Sequence, residues 1–297
     1  MTESTRTGTV ALIGRPNVGK STLLNALIGQ KLSITSRRPQ TTRIRLQGIL
    51  TLPAAQIIFV DTPGFQQRHA GMIYRSMNRA VADALETVDQ VLMVVEALRW
   101  NEADAAILKR LDTPRPPWLL INKTDRVRDP AQLAEYVREH QAEFARFAEI
   151  FLVSAQQPST LQPLLKQLAS RLPEGPFQYD SDQVSDRHER FFVAEFIREQ
   201  LFRQLGDELP YATAVLIDKY EQTQGLVRIE ATLLVDNAGQ KAILIGDKGQ
   251  RMKAIGTAAR HQIEKFLGTR VYLGLWAKIK PGWAEDSHLL KQLGHDF

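Results

Sequence analysis

The sequence predicts two unlike domains: a mostly parallel α/β sheet with helices on both faces, followed by a small α+β domain. Three observations carry this. Residues 1–172 alternate strand-sized apolar runs with amphipathic helical stretches over short links, the pattern of a parallel sheet covered on both sides. Residues 173–188 hold two prolines and a glycine, are polar and have no clear period, which is linker chemistry. Residues 189–297 then run helix, two strands, helix, helix, strand. A chain of 297 residues suits two domains of ordinary size, and 43% hydrophobic with 24% charged residues is a globular composition.

Taken in order, the buried strands are expected at 9–14, 56–61, 90–96, 118–122 and 150–154. Helical patterns follow at 20–27, 72–85, 103–111, 132–147 and 161–172. In the second half Phe192, Phe196, Ile197 and Leu201 recur at helical spacing and place a helix over 189–205. Strands at 211–218 and 226–236, a helical turn at 240–245, a helix at 250–266 and a strand at 271–280 complete it. Neither half repeats the other.

Composition excludes several classes of function. The chain has no cysteine, so disulfides, thiolate metal sites and cysteine nucleophiles are ruled out. The six histidines show no metal-ligand spacing. No apolar run reaches the length of a membrane span, and residues 1–8 lack a signal-peptide core, so a cytoplasmic protein is expected. The net charge of +5 is unevenly placed. Residues 31–45 carry five cations and no acid, and residues 241–280 carry nine cations against Asp247 and Glu264. Two such stretches call for anionic partners.

Residues 14–21, GRPNVGKS, match the phosphate-loop pattern between a strand and a helix. Gly14, Asn17, Val18, Gly19, Lys20, Ser21 and Thr22 are the expected phosphate-binding set. Glycines let backbone N–H groups turn inward around phosphate, at a helix N-terminus that favours anions. Lys20 is expected on the β- and γ-phosphates and the Ser21 hydroxyl on Mg²⁺. Asp61, Thr62, Pro63 and Gly64 follow a buried strand; the Asp61 carboxylate suits a water-mediated Mg²⁺ contact and the Gly64 N–H suits the γ-phosphate.

Asn122, Lys123, Thr124 and Asp125 end another strand, and this motif selects the base. The Asp125 carboxylate can accept from both the ring N–H and the exocyclic amino group of guanine. Adenine offers no such pair, and a carboxylate left unpaired there is heavily penalised. Asn122 is expected to bridge loops and the Lys123 stem to lie along the base. Ser154, Ala155 and Gln156 complete the set, with the Ala155 N–H available to the guanine oxygen.

Together GRPNVGKS, DTPG, NKTD and SAQ resemble the translation-factor-related GTPases, and within them the whole chain resembles the Era-like family, including ELPY at 208–211 and the Gly282-Trp283 tail. The resemblance implies a P-loop GTPase domain over 1–172, a linker over 173–188 and a type II KH domain with a C-terminal tail over 189–297. It makes residues 37–43, RRPQTTR, the first switch, with Thr42 or its neighbour Thr41 on Mg²⁺ when GTP is bound. Phe65 stands after DTPG, where Ras-like proteins carry the water-orienting glutamine. An apolar ring cannot orient water, so slow intrinsic turnover is expected. Gln66 and Gln67 lie nearby, with nothing to aim either at the water. By the same resemblance Asn17 helps hold K⁺ beside the phosphates; the plain alternative is that it only shapes the loop.

Gly246-Asp247-Lys248-Gly249 between helical segments resembles the GXXG loop of KH domains, which clamps a single-stranded backbone. Lys248, Arg251 and Lys253 are the expected phosphate contacts, with Ile245, Met252 and Ile255 as an apolar floor for bases. Trp276 and Trp283 could stack on bases, although a tryptophan in a small domain is more often core. The resemblance implies a GTP/GDP switch acting on the 3′ end of small-subunit (16S) ribosomal RNA in the assembly of the 30S subunit, with a monomer as the default state. Two alternatives stand beside it. One is a regulatory GTPase peripheral to the cytoplasmic (inner) membrane, its basic half meeting anionic lipid, though no lipidation site or strongly amphipathic basic helix is present. The other is a module that holds GTP without turning it over.

Overall fold

A computed structural model describes residues 4–36, 38, 41–63, 71–111, 113, 115–206 and 208–295. The chain divides into two units: residues 1–33, 42–68 and 77–186 form the first, and residues 34–41, 69–76 and 187–297 the second. No helix among the described residues is long and apolar enough to cross a membrane.

The first half holds six strands, β1 Arg6–Ile13, β2 Leu46–Leu52, β3 Ala55–Asp61, β4 Gln90–Glu96, β5 Trp118–Asn122 and β6 Glu149–Leu152. Their order is β2-β3-β1-β4-β5-β6, parallel throughout except for the antiparallel β2–β3 pair. Every residue of β3, β4 and β5 is buried, which is why these strands read as unbroken apolar runs. The helices are α1 Lys20–Ile28, α2 Met72–Thr87, α3 Glu102–Arg110, α4 Pro130–Glu139, α5 Gln141–Phe144 and α6 Gln162–Arg171.

Two departures from the sequence reading have identifiable causes. The helix expected over 132–147 is broken at His140, which serves as both the C-cap of α4 and the N-cap of α5. Its apolar face nevertheless continues through Leu133, Tyr136, Phe144 and Phe147 in one core cluster, so periodicity alone hides the break. The other is β2, absent from the expected strands because LQGILTL mixes apolar and polar residues.

Edge strand β2 is covered by residues 178–186. The Ile49 N–H donates to the Val184 carbonyl at 2.9 Å. The Ser185 hydroxyl donates to the Gln47 carbonyl at 2.6 Å, and the Tyr179 hydroxyl to Gln47 Oε1 at 2.9 Å. The fully buried Gln56 side chain accepts from the N–H groups of Gln178 and Tyr179 and donates to the Tyr179 carbonyl. This polar stretch is a strap that satisfies a sheet edge.

The second half holds α7 Glu189–Gln204, β7 Ala214–Thr223, β8 Leu226–Val235, α8 Ala238–Ile245, α9 Gln250–Leu267, β9 Arg270–Ile279 and α10 Ser287–Gln292. The sheet order is β7-β8-β9, with β7 antiparallel and β9 parallel to β8. Helices α7 and α9 cover one sheet face through Phe192, Phe196, Ile255, Ala259 and Ile263, against Val227, Ile229 and Leu233 of β8, all buried. Trp283 is 1% exposed and its Nε1–H donates to the Ala212 carbonyl at 3.1 Å, so it is a core residue.

Of the short segments that belong to the second unit, the one that holds Thr35 and Thr41 is tied to α7. The buried Arg198 guanidinium donates to the Thr41 carbonyl and to both Glu195 oxygens. The fully buried Glu199 accepts from the Thr35 N–H at 3.2 Å, from Arg203 at 2.8 Å and from Gln262 at 2.6 Å.

Candidate functional site

The site is built on the loops that leave the carboxyl ends of β1, β3, β5 and β6, where ligands of parallel sheets bind. After β1 the chain turns through Gly14 at φ 147°, Asn17 at φ 67° and Gly19 at φ 101° before entering α1. A Cβ at Gly14 would lie 2.3 Å from the Val94 carbonyl oxygen, and one at Gly19 2.5 Å from the Asn122 amide nitrogen. Only glycine lets the loop close against both neighbours. Val18 is fully buried, Ser21 and Thr22 are half-buried, and all three sit at the α1 N-terminus or just before it.

Lys20 is 7% exposed and donates to the carbonyls of Gly14 at 2.8 Å and Arg15 at 3.0 Å, so its ammonium already lies inside the loop. Burial pushes it down to about 8, against the opposing pull of the Asp61 carboxylate. Phosphate binding needs the charged form, and a bound polyanion restores the proton. Nucleotide affinity is therefore expected to fall with pH above about 8, by up to about tenfold per pH unit, with proton uptake on binding. Calorimetry in buffers of different ionisation enthalpy reads that uptake directly; none at about pH 9 contradicts the assignment.

Three hydroxyls and one carboxylate meet beside the loop. Ser21 Oγ lies 2.9 Å from Thr42 Oγ1 and donates to Asp61 Oδ2 at 3.0 Å, while Ser33 donates to the same oxygen at 2.7 Å. Asp61 is fully buried, and its Oδ1 has no partner among the described residues. Burial raises its proton affinity, opposed by the Ser33 bond, Lys20, Ser21 and Thr42. A dry carboxylate oxygen without a donor suits a cation or its water. The structure brings Thr42 to this cluster; the Thr41 hydroxyl instead donates to the Arg38 carbonyl at 3.0 Å. Gly64, Phe65, Gln66 and Gln67 lie outside the described residues.

The base-selecting motif is held by the loops around it. The Asn122 amide donates to the Val18 carbonyl at 2.9 Å, and its Oδ1 accepts the Ala155 N–H at 3.3 Å, which joins the phosphate loop to the loop after β6. Lys123, at φ 66°, donates to the Asn17 carbonyl at 2.6 Å and to Glu96 at 2.7 Å. Asp125 Oδ1 accepts the Ser154 hydroxyl, and the Gln156 N–H donates back to Ser154 Oγ at 3.1 Å.

Four supporting residues lie outside the sequence motifs. Thr160 pins the loop after β6 by accepting the Ser154 N–H at 2.9 Å. Ser33 stands ahead of RRPQTTR, at the start of the first-switch stretch of about 33–45, and is the donor to Asp61 already described. Glu96 steadies Lys123; burial raises its proton affinity, but the Lys123 bond and charge, with Arg99 and Arg15, outweigh that and hold it below the usual carboxylate range. Asp104 is fully buried, receives Arg15 Nε at 3.0 Å and completes the Asn101 capping box of α3. Burial raises its proton affinity against the Arg15 charge. Asp104→Ala strips the cap and leaves Arg15 without its counter-charge, so a loss of about 3 kcal/mol in urea unfolding is expected. A loss under about 0.5 kcal/mol would mean the pair contributes nothing beyond the surface norm.

In the second unit α8 ends at Gly246 (φ 71°), Lys248 takes φ 45° and Gly249 φ 78°, and α9 starts at once. Lys248 and Lys253 are exposed and have no side-chain partner among the described residues, while Arg251 donates to the Ile243 carbonyl at 2.7 Å. Asp247 is also exposed. A cleft of about 330 Å³ beside the turn is lined by Gly249, Met252, Lys253, Gly256, Leu273 and Leu275, among others. The expected apolar floor needs correction: of Ile245, Met252 and Ile255 only Met252 lines the cleft, Ile255 is fully buried in the core, and Leu273 and Leu275 of β9 supply the rest of the apolar lining. Among the described cations of the other basic stretch, Arg43 is 8% exposed and Lys31, Arg38 and Arg45 are already engaged in contacts.

Comparison with known proteins identifies relatives of both halves of the chain. Residues 9–123 match the family described as 50S ribosome-binding GTPase, and residues 208–284 match the KH domain. The chain is 46% identical to GTPase Era of Chromobacterium violaceum over 97% of each chain. It is 48% identical to GTPase Era of Neisseria meningitidis serogroup C over 97% of this chain and 94% of that one. Among solved structures it is similar to a single-residue variant of Aquifex aeolicus Era bound to GDP·AlF4⁻, at 34% identity and TM-score 0.92 over 98% of this chain and 100% of that one. It is equally similar to an Era in complex with MgGDPNP and nucleotides 1506–1542 of 16S ribosomal RNA, at 34% identity and TM-score 0.93 over 99% and 100%.

Proposed function

This chain belongs to the Era family of GTPases, and on that premise we propose that it is a Mg²⁺-dependent GTP switch gripping the 3′ end of small-subunit ribosomal RNA during 30S assembly. The observation that carries the RNA half is the turn from Gly246 to Gly249, which presents Lys248, without a side-chain partner among the described residues, beside a cleft lined by the cations Lys253 and Arg260 together with Met252, Leu273 and Leu275. The relative solved with nucleotides 1506–1542 of 16S ribosomal RNA supports that choice of RNA. The domain limits we assign are 1–172, 173–188 as linker and 189–297.

For the nucleotide half, Lys20 and the N–H groups around Gly19 hold the phosphates, and Asp125, with the Ala155 N–H, reads guanine. Ser21, Thr42 and Asp61 are the residues that would hold Mg²⁺, which neutralises charge on the β- and γ-phosphate oxygens when bound. Asp61 Oδ1 is the oxygen left for it. Gly64 and Phe65 are assigned to the γ-phosphate, with slow unaided turnover because Phe65 cannot orient water. Asn17 has no side-chain partner among the described residues, which supports its oxygen as a K⁺ ligand; hydrolysis equal in potassium and sodium would remove that role.

Nucleotide state is linked to RNA grip through the first switch. Thr42 reaches Ser21 and Asp61, while the Thr41 carbonyl, one peptide away, is held by Arg198 in α7. The test is crosslinking of the intact protein to whole-cell RNA in its apo, GDP and GTP-analogue forms. Enrichment of the small-subunit 3′ end that varies with nucleotide is expected. Crosslinks spread evenly over cellular RNA, or equal in all three forms, would refute the reading. Binding to acidic vesicles that RNA cannot displace would favour a membrane role instead.

A further inference from the structure

The sheet β7-β8-β9 has one face under helices and one face open. Along β9, Val271, Leu273, Leu275 and Ala277 turn towards the helices, so Arg270, Tyr272, Gly274, Trp276 and Lys278 turn outward. Tyr272 and Trp276 are 47% and 49% exposed, the most exposed large rings among the described residues. The Trp276 ring folds back over Gly274, whose Cβ would meet it at 2.6 Å. A glycine there is what allows the indole to lie along the strand. Tyr272 is braced from β8 by Arg228, whose guanidinium sits 4.9 Å from the ring centre and is itself held by Glu230.

Charge on this face is sorted by strand. The acids lie on β7 and β8 and are satisfied: Glu230 by Arg228, Glu221 by Lys219 and Asp218 by the Thr232 hydroxyl. On β9 the charges are Arg270 and Lys278, both exposed and without a side-chain partner among the described residues. The edge strand thus carries, in order, a cation, a ring, a glycine, a ring and a cation. Along the strand backbone the two ring-bearing residues are about 13 Å apart and the two cation-bearing ones about 26 Å apart. Stacking platforms flanked by free cations are what a single strand of nucleic acid requires, since every base has a π-face and every linkage a charge.

Continuity with the GXXG cleft identifies the occupant. Leu273 and Leu275, on the inner side of this same strand, line the cleft beside Gly249 and Lys253. A chain lying in that cleft crosses only the width of β9 to reach Tyr272 and Trp276. We propose that the outward side of β9 is a second track for single-stranded RNA, on which bases beyond the GXXG cleft stack on Trp276 and Tyr272 while Arg270 and Lys278 meet the flanking phosphates. The proposal rests on the RNA-binding reading above and extends the footprint past the four or so nucleotides that a KH cleft clamps.

The test uses the intact protein and a single-stranded RNA of about twelve nucleotides from the small-subunit 3′ end, long enough to leave the cleft. Trp276→Ala is expected to weaken binding about tenfold and Tyr272→Ala several-fold, with Trp276→Phe near wild type because a ring remains. Tryptophan emission of the wild type is expected to be quenched by this RNA, and Trp276→Phe to lose most of that quenching. Both side chains are half-exposed, so unchanged unfolding midpoints certify the variants. If Trp276→Ala and Tyr272→Ala bind within twofold of wild type and quenching survives in Trp276→Phe, the track does not exist. If Lys248→Glu also binds as wild type, or the wild type does not bind, the RNA reading itself has failed.

Discussion

Asp125→Asn is expected to lower affinity for GTP and GDP by about a thousandfold while creating affinity for xanthosine triphosphate. A carboxylate accepting two hydrogen bonds from guanine contributes about 1.5–3 kcal/mol for each, and the amide replaces one acceptor with a donor that faces the exocyclic amino group of guanine. Xanthine carries a carbonyl at that position, so the same amide completes the pair. The effect should be confined to the base. Asp125 is braced by Ser154, which Thr160 holds in turn, so the loop keeps its shape with either side chain. Competition between the two triphosphates for the purified protein measures the exchange. Loss of GTP with no gain of xanthosine triphosphate would mean that Asp125 holds the loop and does not read the base.

Lys248→Glu should weaken RNA binding by about ten- to a hundredfold at low salt, leaving GTP affinity unchanged. The lysine stands at φ 45° between two glycines and is exposed without a partner, so its removal costs the fold little. On the proposed reading it contacts a phosphate and so releases counterion. The slope of log affinity against log salt should therefore fall by about 0.7 for Lys248→Ala, and by more for the charge reversal. Anisotropy titrations over a range of salt give both quantities. An unchanged slope would place phosphate elsewhere. Discrimination among RNA sequences should be little affected, because a phosphate contact positions the chain and carries no sequence information.

The legible parts of this protein are those whose cause is local. Strands β1, β3, β4 and β5 could be read because a strand buried on both faces leaves an apolar run, and the motif after each could be read because its residue types answer to phosphate, metal or guanine chemistry. Strand β2 was not legible. Its sequence LQGILTL mixes apolar and polar residues, and it is stabilised from far along the chain by the strap at 178–186. The strap itself carries linker composition, since its polar groups serve Gln47 and Gln56 and not a core. Ile255 and Leu273 show the same limit in the RNA cleft: both are apolar and near the loop, and only the packing of α9 on β9 decides which is buried and which faces the cleft.

By itself the sequence determined the four nucleotide motifs, the GXXG turn and the family, because each is a short string whose residue types meet a fixed chemical demand, and it set out the order of elements apart from β2 and α10. Tertiary structure alone decided what stands behind them. Setting β4 between β1 and β5 brings Glu96 to Lys123 and Asp104 to Arg15, and folding of the first switch sets Thr42, not Thr41, beside Ser21 and Asp61. It likewise sends Trp283 into the core and Trp276 to the surface, although both are tryptophans close together in the chain. The physical reason is one of range. A motif states what its own atoms can do, whereas burial, pairing and exposure depend on neighbours that only the fold supplies.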